Sequence, residues 1–417
     1  MPTKKNVLII NHQNFSNIGG IEKWLYYLVQ NCIKNSIRVI WLCDEKPIIH
    51  PVFKNLMIND KVERVNVKRQ KWRWFVYQKL KLRKDERYVV FCANPINMCV
   101  AQDIMLRYKG FDIFPVYSVP DTTGNMYFLE RNFRIKCVNI AVWRVMRNMI
   151  YRWDRLNAIR FFSNNHVKAL EENYDISVLS PDEKRLKSNV IVTELDENCI
   201  NKKAENRTPF VLSTVGRFDF PHKGYMLGLV RSFGRLKQEY PELELHIAGY
   251  GAQERLLLNE IAKLSEKAKE SVKIVGPIHP DDLNDFFKSS HLNISVAGAA
   301  TSGAKVGTLT LVARSYCEGE CEVYGFFHDC HEKNTSLAKG FAVDPFIRQV
   351  LAMKREEYIE MCKKGYEIVS KRSKMSYDPN YIFNSTKEEV FLPSYKEVFQ
   401  MKILKRLIGI NHYLKML

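Results

Sequence analysis

The chain opens on the apolar run Asn6 to Ile10, with polar residues on either side. A short, unbroken run of this kind predicts a strand buried on both faces. Gly19-Gly20 punctuates the pattern. Ile21, Trp24, Leu25, Leu28, Val29, Cys32 and Ile33 then recur with the period of an amphipathic helix. Arg38 to Cys43 is the next strand. Strand, helix and strand in this order form a βαβ unit, which implies parallel pairing. Further buried strands are expected at Tyr88 to Cys92, Ile113 to Ser118 and Ala158 to Ser163. Ser180 to Lys187 is polar and charged. Ile200 to Pro209 shows no apolar periodicity and reads as a linker.

Beyond it the alternation resumes. Phe210 to Val215 is a strand, and Met226, Leu229, Val230, Phe233 and Leu236 mark a helix face. Leu243, Leu245 and Ile247 alternate in a strand ending at Gly249-Tyr250-Gly251. Val272 to Val275 and Leu292 to Val296 are further strands. Between them, Pro280-Asp281-Asp282 opens a helix with acid in its first turn, where the helix dipole favours it. The expected architecture is α/β with two domains. Residues 1–204 and 205–375 each carry a doubly wound sheet, and residues 376–417 form a helical segment packing back on the first domain.

The bulk numbers fit this division. A chain of 417 residues exceeds one ordinary core. Its 46% hydrophobic and 26% charged content is that of a globular protein, and no apolar run approaches the length of a membrane span. The first apolar run is too short for a signal-peptide core, so a cytoplasmic protein is expected. The ten cysteines then read as free thiols. Cys317, Cys321, His328, Cys330 and His331 cluster in sequence, but their spacing lacks the paired arms of a zinc site. The net charge of +18 calls for an anionic partner: nucleic acid, an acidic membrane surface or a phosphorylated substrate. No nucleic-acid-binding signature accompanies it.

Two glycine-marked turns carry the candidate chemistry. In the first domain, Gly19 and Gly20 precede a helix. Glycine there can bring backbone N–H groups close to a phosphate, or can serve packing alone. In the second, the loop Val215 to Gly224 sets Gly216 and Arg217 beside Lys223 and Gly224. Arg217 offers a planar fork and Lys223 a compact charge, together suited to a diphosphate; the alternative is two solvated surface cations.

These stretches resemble the GT-B glycosyltransferases, specifically the retaining group called GT4, which includes lipopolysaccharide-type hexosyltransferases. The resemblance rests on Val7-Leu8-Ile9-Ile10 with Gly19-Gly20-Ile21-Glu22, and on Thr214-Val215-Gly216-Arg217 with Lys223-Gly224. It continues through Leu245 to Gly251 and Val275-Gly276-Pro277-Ile278. It covers most of the chain and implies two Rossmann-like domains facing each other across a cleft, an acceptor domain followed by a donor domain. It implies transfer of a hexose from a nucleotide diphosphate sugar to a cell-surface glycan or lipid-linked acceptor, with no metal requirement. Arg217 and Lys223 then bind the donor diphosphate, with Gly216 and Gly251 beside them. Gly19 and Gly20 lie opposite, and Pro277 and Ile278 lie beside the base. Retention in this group uses the leaving diphosphate as base, so stabilising its charge is the main demand, which Arg217 and Lys223 meet.

Two departures stand out. The group carries a pair of glutamates near its last donor-binding helix, whereas Ser295 to Thr310 contains none. Thr301 and Ser302 occupy that region, with Ser302 where the ribose-binding glutamate belongs. Glu318, Glu320 and Glu322 lie downstream as possible substitutes. The group also often has a histidine after a mid-domain strand; here Asp121 is the nearest polar candidate for a catalytic role, with a turn residue as its alternative. Asn94, after another strand, is a further cleft candidate.

A catalytically inactive partner subunit of the same shape is the competing reading. Finally, cations and aromatics interleave over Lys68 to Lys84, recur at Arg144, Arg147, Tyr151, Arg152, Trp153 and Arg155, and close the chain at Lys402 to Ile408. Such segments suit an anionic membrane interface, which predicts a peripheral protein at the inner face of the membrane. Their alternative is a solvated face with aromatics packed on the core.

Overall fold

The structure is a computed structural model of the chain. It describes residues 4–12, 14–16, 19–58, 60–68, 76–77, 80–119, 136–186, 192, 194–279, 282–317, 319–335, 338–373, 382–383 and 403. The chain divides into two compact units, Met1–Asn189 with Tyr377–Leu417, and Val190–Ser376.

Unit 1 runs β1 (Lys5–Asn11), α1 (Gly20–Lys34), β2 (Arg38–Cys43), α2 (Pro51–Met57), β3 (Val62–Lys68), β4 (Val76–Tyr77) and β5 (Glu86–Cys92). It continues with α3 (Pro95–Arg107), β6 (Asp112–Val119), α4 (Lys136–Arg155), β7 (Ile159–Phe161) and α5 (Asn164–Tyr174). Its seven-stranded sheet has the order β4-β3-β2-β1-β5-β6-β7. All pairs are parallel except β3 with β4. Val7 to Ile10 are fully buried, as a strand covered by helices on both faces requires. Ile382 and Phe383 join this core.

Unit 2 runs α6 (Glu197–Glu205), β8 (Phe210–Arg217), α7 (Tyr225–Glu239), β9 (Leu243–Tyr250), α8 (Glu254–Ala262), α9 (Glu266–Glu270), β10 (Val272–Gly276) and α10 (Leu283–Lys288). It continues with β11 (Leu292–Ser295), α11 (Ala297–Lys305), β12 (Leu309–Ala313), β13 (Glu322–Phe326), α12 (Phe327–Cys330), β14 (Phe341–Ala342), α13 (Val343–Ala352) and α14 (Arg355–Ser373). The sheet order is β10-β9-β8-β11-β12-β13-β14, parallel as far as β12 and antiparallel at β13 and β14.

The stretch read as a linker is α6 over its first half. Asp196 caps it, accepting from the Cys199 N–H at 3.0 Å. Its buried face is Ile200, Lys203 and Ala204. That face has helical period, but a lysine occupies one of its positions. The Lys203 amine reaches Ser290 O at 3.2 Å and Thr308 Oγ1 at 3.1 Å.

The basic segments differ in how they use their cations and aromatics. In the first, Val76-Tyr77 is strand β4 and Leu80 is buried, while 69–75, 78 and 79 lie outside the described residues. In α4, Trp153 is core, edge-on to Tyr117 at 5.6 Å. Arg147 closes the end of α5 by donating to Tyr174 O and Asp175 O, each at 3.0 Å. Arg144, Tyr151 and Arg155 stay exposed, with the Arg155 guanidinium over the Tyr151 ring at 4.7 Å. Of the C-terminal segment only Ile403 is described, and it is exposed. No helix among the described residues is long and apolar enough to cross a membrane.

Candidate functional site

Both sheets are doubly wound, so each has a point where the strand order reverses: between β1 and β5 in unit 1, and between β8 and β11 in unit 2. Ligands of open α/β sheets bind outside the strand carboxyl ends at that point.

In unit 2 the carboxyl end of β8 is Gly216-Arg217, leading into a loop that ends at Gly224. This loop is held from several sides. Phe218 N–H donates to Tyr250 O at 2.9 Å, Lys223 N–H to Asp219 O at 2.7 Å and Gly224 N–H to Pro221 O at 2.8 Å. Phe220 N–H donates to the Gln253 side chain. Phe218 is buried beneath it. The neighbouring glycines serve this close packing. A Cβ on Gly249 would lie 1.9 Å from Gly216 O, and one on Gly251 would lie 2.5 Å from Phe218 O. The signal at Gly251 is thus accounted for by the approach of the β8 loop to the end of β9.

Two cations remain on the loop. The Lys223 side chain crosses Gly216, its Cδ 3.8 Å from where a Cβ there would stand. Burial first, and Arg217 second, push its amine down to about 8, against an opposing pull from Asp219. Arg217 is partly exposed and reaches Asp219 only at 3.9 Å. Two neighbouring cations whose nearby acid, Asp219, approaches Arg217 only to 3.9 Å form a site that an anion would relieve.

Across the reversal point, β11 ends at Ser295. Its hydroxyl accepts from Val215 N–H at 3.2 Å and donates to Asn293 Oδ1 at 2.7 Å, tying the ends of β8 and β11 together. The first turn of α11 follows. Ala297 there has φ +50°, and a Cβ on Gly298 would meet nothing within 4 Å. Thr301 donates back to Ala297 O at 3.4 Å within the helix, and Ser302 is the next residue of it. No residue of α11 is acidic. Two of the three downstream acids are engaged in ion pairs away from this turn. Glu320 pairs with Arg235 at 2.7 Å, and Glu322 pairs with Arg314 at 2.8 Å while accepting from Gly340 N–H at 2.9 Å. Glu318 lies outside the described residues. Pro277 and Ile278 follow β10, at the sheet edge two strands from β8.

In unit 1, α1 begins at Gly20 after the extended Gly19. A Cβ on Gly19 would lie 2.3 Å from Glu22 Oε2, so that carboxylate sits against the turn. Glu22 also faces His12 Nε2 at 3.5 Å. The helix end that sequence reading offers to phosphate therefore already holds an acid of its own chain, which the dipole favours. Asn94 caps α3, accepting from Asn97 N–H at 2.9 Å. Asp121 lies outside the described residues. Sequence reasoning passed over Asp219 and His222 in the unit 2 loop and Tyr316 beside it; the polar insertion between Arg217 and Lys223 was the available signal.

Among the described residues no group of three or more His, Cys, Asp or Glu is placed to hold a metal ion. Cys317, Cys321 and Cys330 are buried free thiols, and burial raises all three.

No protein-family model matches the sequence, and no curated protein is similar to it in sequence. Solved structures are similar in fold. HepE of Anabaena, in complex with UDP and glucose, aligns with TM-score 0.57 at 14% identity, covering 91% of this chain and 97% of that one. A variant of TarM from S. aureus, in complex with fondaparinux, α-GlcNAc-glycerol and UDP, aligns with TM-score 0.52 at 10% identity, covering 91% and 98%. WaaG, a glycosyltransferase involved in lipopolysaccharide biosynthesis, aligns with TM-score 0.51 at 12% identity, again covering 91% and 98%. The chain has the GT-B fold, with two Rossmann-like α/β domains.

Proposed function

We propose that this chain is a glycosyltransferase that moves a hexose, with retention, from a nucleotide diphosphate sugar to a cell-surface glycan or lipid-linked acceptor. The observation that carries the reading is the pair Arg217 and Lys223 at the strand-order reversal of unit 2, with the lysine amine depressed and, among the described residues, Asp219 reaching Arg217 only at 3.9 Å. The UDP and glucose bound by HepE and the UDP bound by TarM support it. Arg217 and Lys223 would neutralise charge developing on the leaving diphosphate, with the first turn of α11 beside them. Gly216, Thr301 and Ser302 belong to the same proposed donor site, and Pro277 and Ile278 to its base end. The reaction needs no metal ion in this scheme. Association with an anionic membrane is supported by exposed Ile140, Arg144, Tyr151 and Arg155 on α4.

The absence of any acid from α11 favours a second reading, a GT-B subunit that binds nucleotide without turnover. One experiment addresses both. UDP- and GDP-sugars are incubated with the chain, with and without a panel of glycan and lipid-linked acceptors, and release of UDP or GDP is followed. Release that disappears in Arg217→Ala/Lys223→Ala is the expected result. Nucleotide binding without release under any acceptor supports the subunit, and release unaffected by the double variant sinks the site.

A further inference from the structure

The loss of the acids from α11 leaves open what grips the sugar. Beside the two cations, the unit 2 loop builds a second group. Asp219 Oδ2 lies 3.8 Å from His222 Nδ1 and 3.9 Å from the Arg217 guanidinium, and its side chain is 52% exposed. The His222 ring lies against Tyr316, with centroids 4.9 Å apart and planes inclined by 32°. Tyr316 comes from the carboxyl side of β12, the strand next to β11. Its N–H donates to His222 O at 3.1 Å, which fixes the ring over the loop. The residue is 38% exposed, so one part of a large aromatic faces outward at the edge of the diphosphate loop.

The backbone makes this placement notable. Tyr316 has φ +60°, in the left-handed region that bulky side chains rarely enter. Such conformations persist where the surroundings hold them, and they gather at ligand sites. Ala297, at the end of the neighbouring strand, is a second case at φ +50°. Two left-handed non-glycine residues therefore stand at consecutive strand ends on the rim where the cations lie. A flat aromatic face beside an exposed carboxylate is the chemistry that takes a pyranose: the ring covers its C–H face and the carboxylate accepts from its hydroxyls.

We propose that Tyr316, His222 and Asp219 form the sugar-reading subsite of the donor, in place of the acids missing from α11. This rests on the proposed function, since it requires a nucleotide sugar at Arg217 and Lys223. Tyr316 and Asp219 touch the hexose, and His222 is a positioning residue that holds the tyrosine ring.

The test is calorimetric titration of the full chain with UDP and UDP-glucose, and with GDP and GDP-mannose. The ratio of nucleotide-sugar to nucleotide affinity isolates the sugar contact. Tyr316→Asn removes the ring while keeping a residue that tolerates this backbone. It is expected to weaken the nucleotide sugar roughly tenfold and to leave the free nucleotide unchanged. Tyr316→Phe, which keeps the ring, is expected to lose far less than Tyr316→Asn, and Asp219→Asn to reproduce the loss in part. An unchanged ratio in Tyr316→Asn, or an equal loss for sugar nucleotide and nucleotide, overturns the subsite while leaving the diphosphate grip standing. A wild-type chain that binds none of the four ligands overturns both.

Discussion

In unit 1 the turn after β1 brings the Glu22 carboxylate against Gly19, with His12 beside it; in unit 2 the turn after β8 presents Arg217 and Lys223. Both turns stand at the strand-order reversal of a doubly wound sheet, and both are marked by glycine. Topology alone would assign them the same ligand. In the proposed function their charges give them different ones. A helix N-terminus with an acid in its first turn has used its dipole internally, whereas two neighbouring cations pay a repulsion that a bound anion removes. The comparison breaks most sharply at the cations. Arg217→Ala with Lys223→Ala is expected to lose about 4 kcal/mol of UDP or GDP affinity, roughly a thousandfold in Kd. Glu22→Gln is expected to leave that Kd unchanged or to tighten it. Calorimetry on both variants decides the matter, and a comparable loss in Glu22→Gln would erase the distinction between the turns.

That distinction was only half legible in the sequence. Strands buried on both faces announce themselves as apolar runs, so β1, β2, β5, β6, β8 and β11 were readable, and two α/β domains followed from their alternation, while GT-B was implied only by the resemblance. The linker reading failed at α6 because its buried face includes Lys203, whose long stem packs inward while its amine finds two neutral oxygens. The strands β13 and β14 pair antiparallel at an edge, and the two residues of β14 are too few for a period. Within the proposed site, Arg217 and Lys223 stand out in the sequence by charge and spacing. Tyr316 was not, because it lies 93 residues from Lys223 (316 − 223) and reaches the loop only through the register of β12 beside β11. Nor could spacing reveal that Glu22 folds back on Gly19, since a side-chain approach depends on the helix start rather than on the motif.

The glycines themselves sharpen the comparison at the next level of effect. Gly249 stands where β8 and β9 approach each other, and an added methyl would meet Gly216 O at 1.9 Å. Backbone cannot yield as a side chain can, so Gly249→Ala is expected to cost about 3 kcal/mol and to lower the melting temperature of unit 2 by roughly 6–12 °C. Gly20 has open space around the same position and begins a helix. Gly20→Ala is expected to be neutral or stabilising by about 0.5 kcal/mol. Differential scanning calorimetry of the two variants measures both. A large loss in Gly20→Ala would mean that unit 1 needs its glycine for something other than the turn.

The smallest effect separates the two turns by pH. Lys223 is held down to about 8 in the free chain, chiefly by burial and then by Arg217. In the proposed site a bound diphosphate would restore the ordinary high value by supplying a counter-charge. The protonated form is therefore the binding form. Below pH 8 the amine is already charged and affinity is at its plateau. As pH rises through the free value, each binding event must also take up a proton, and affinity falls until the bound form begins to titrate. With a free value of about 8, the loss between pH 7 and pH 9 is about tenfold. Titration near pH 8.5 in buffers of different ionisation enthalpy should register uptake of most of one proton. Lys223→Arg keeps the charge at every pH in this range and should flatten the profile, while Glu22→Gln should leave it in place. A wild-type affinity that is flat from pH 7 to pH 9 would mean that the lysine does not face the anion, and Arg217 would then hold the diphosphate without it.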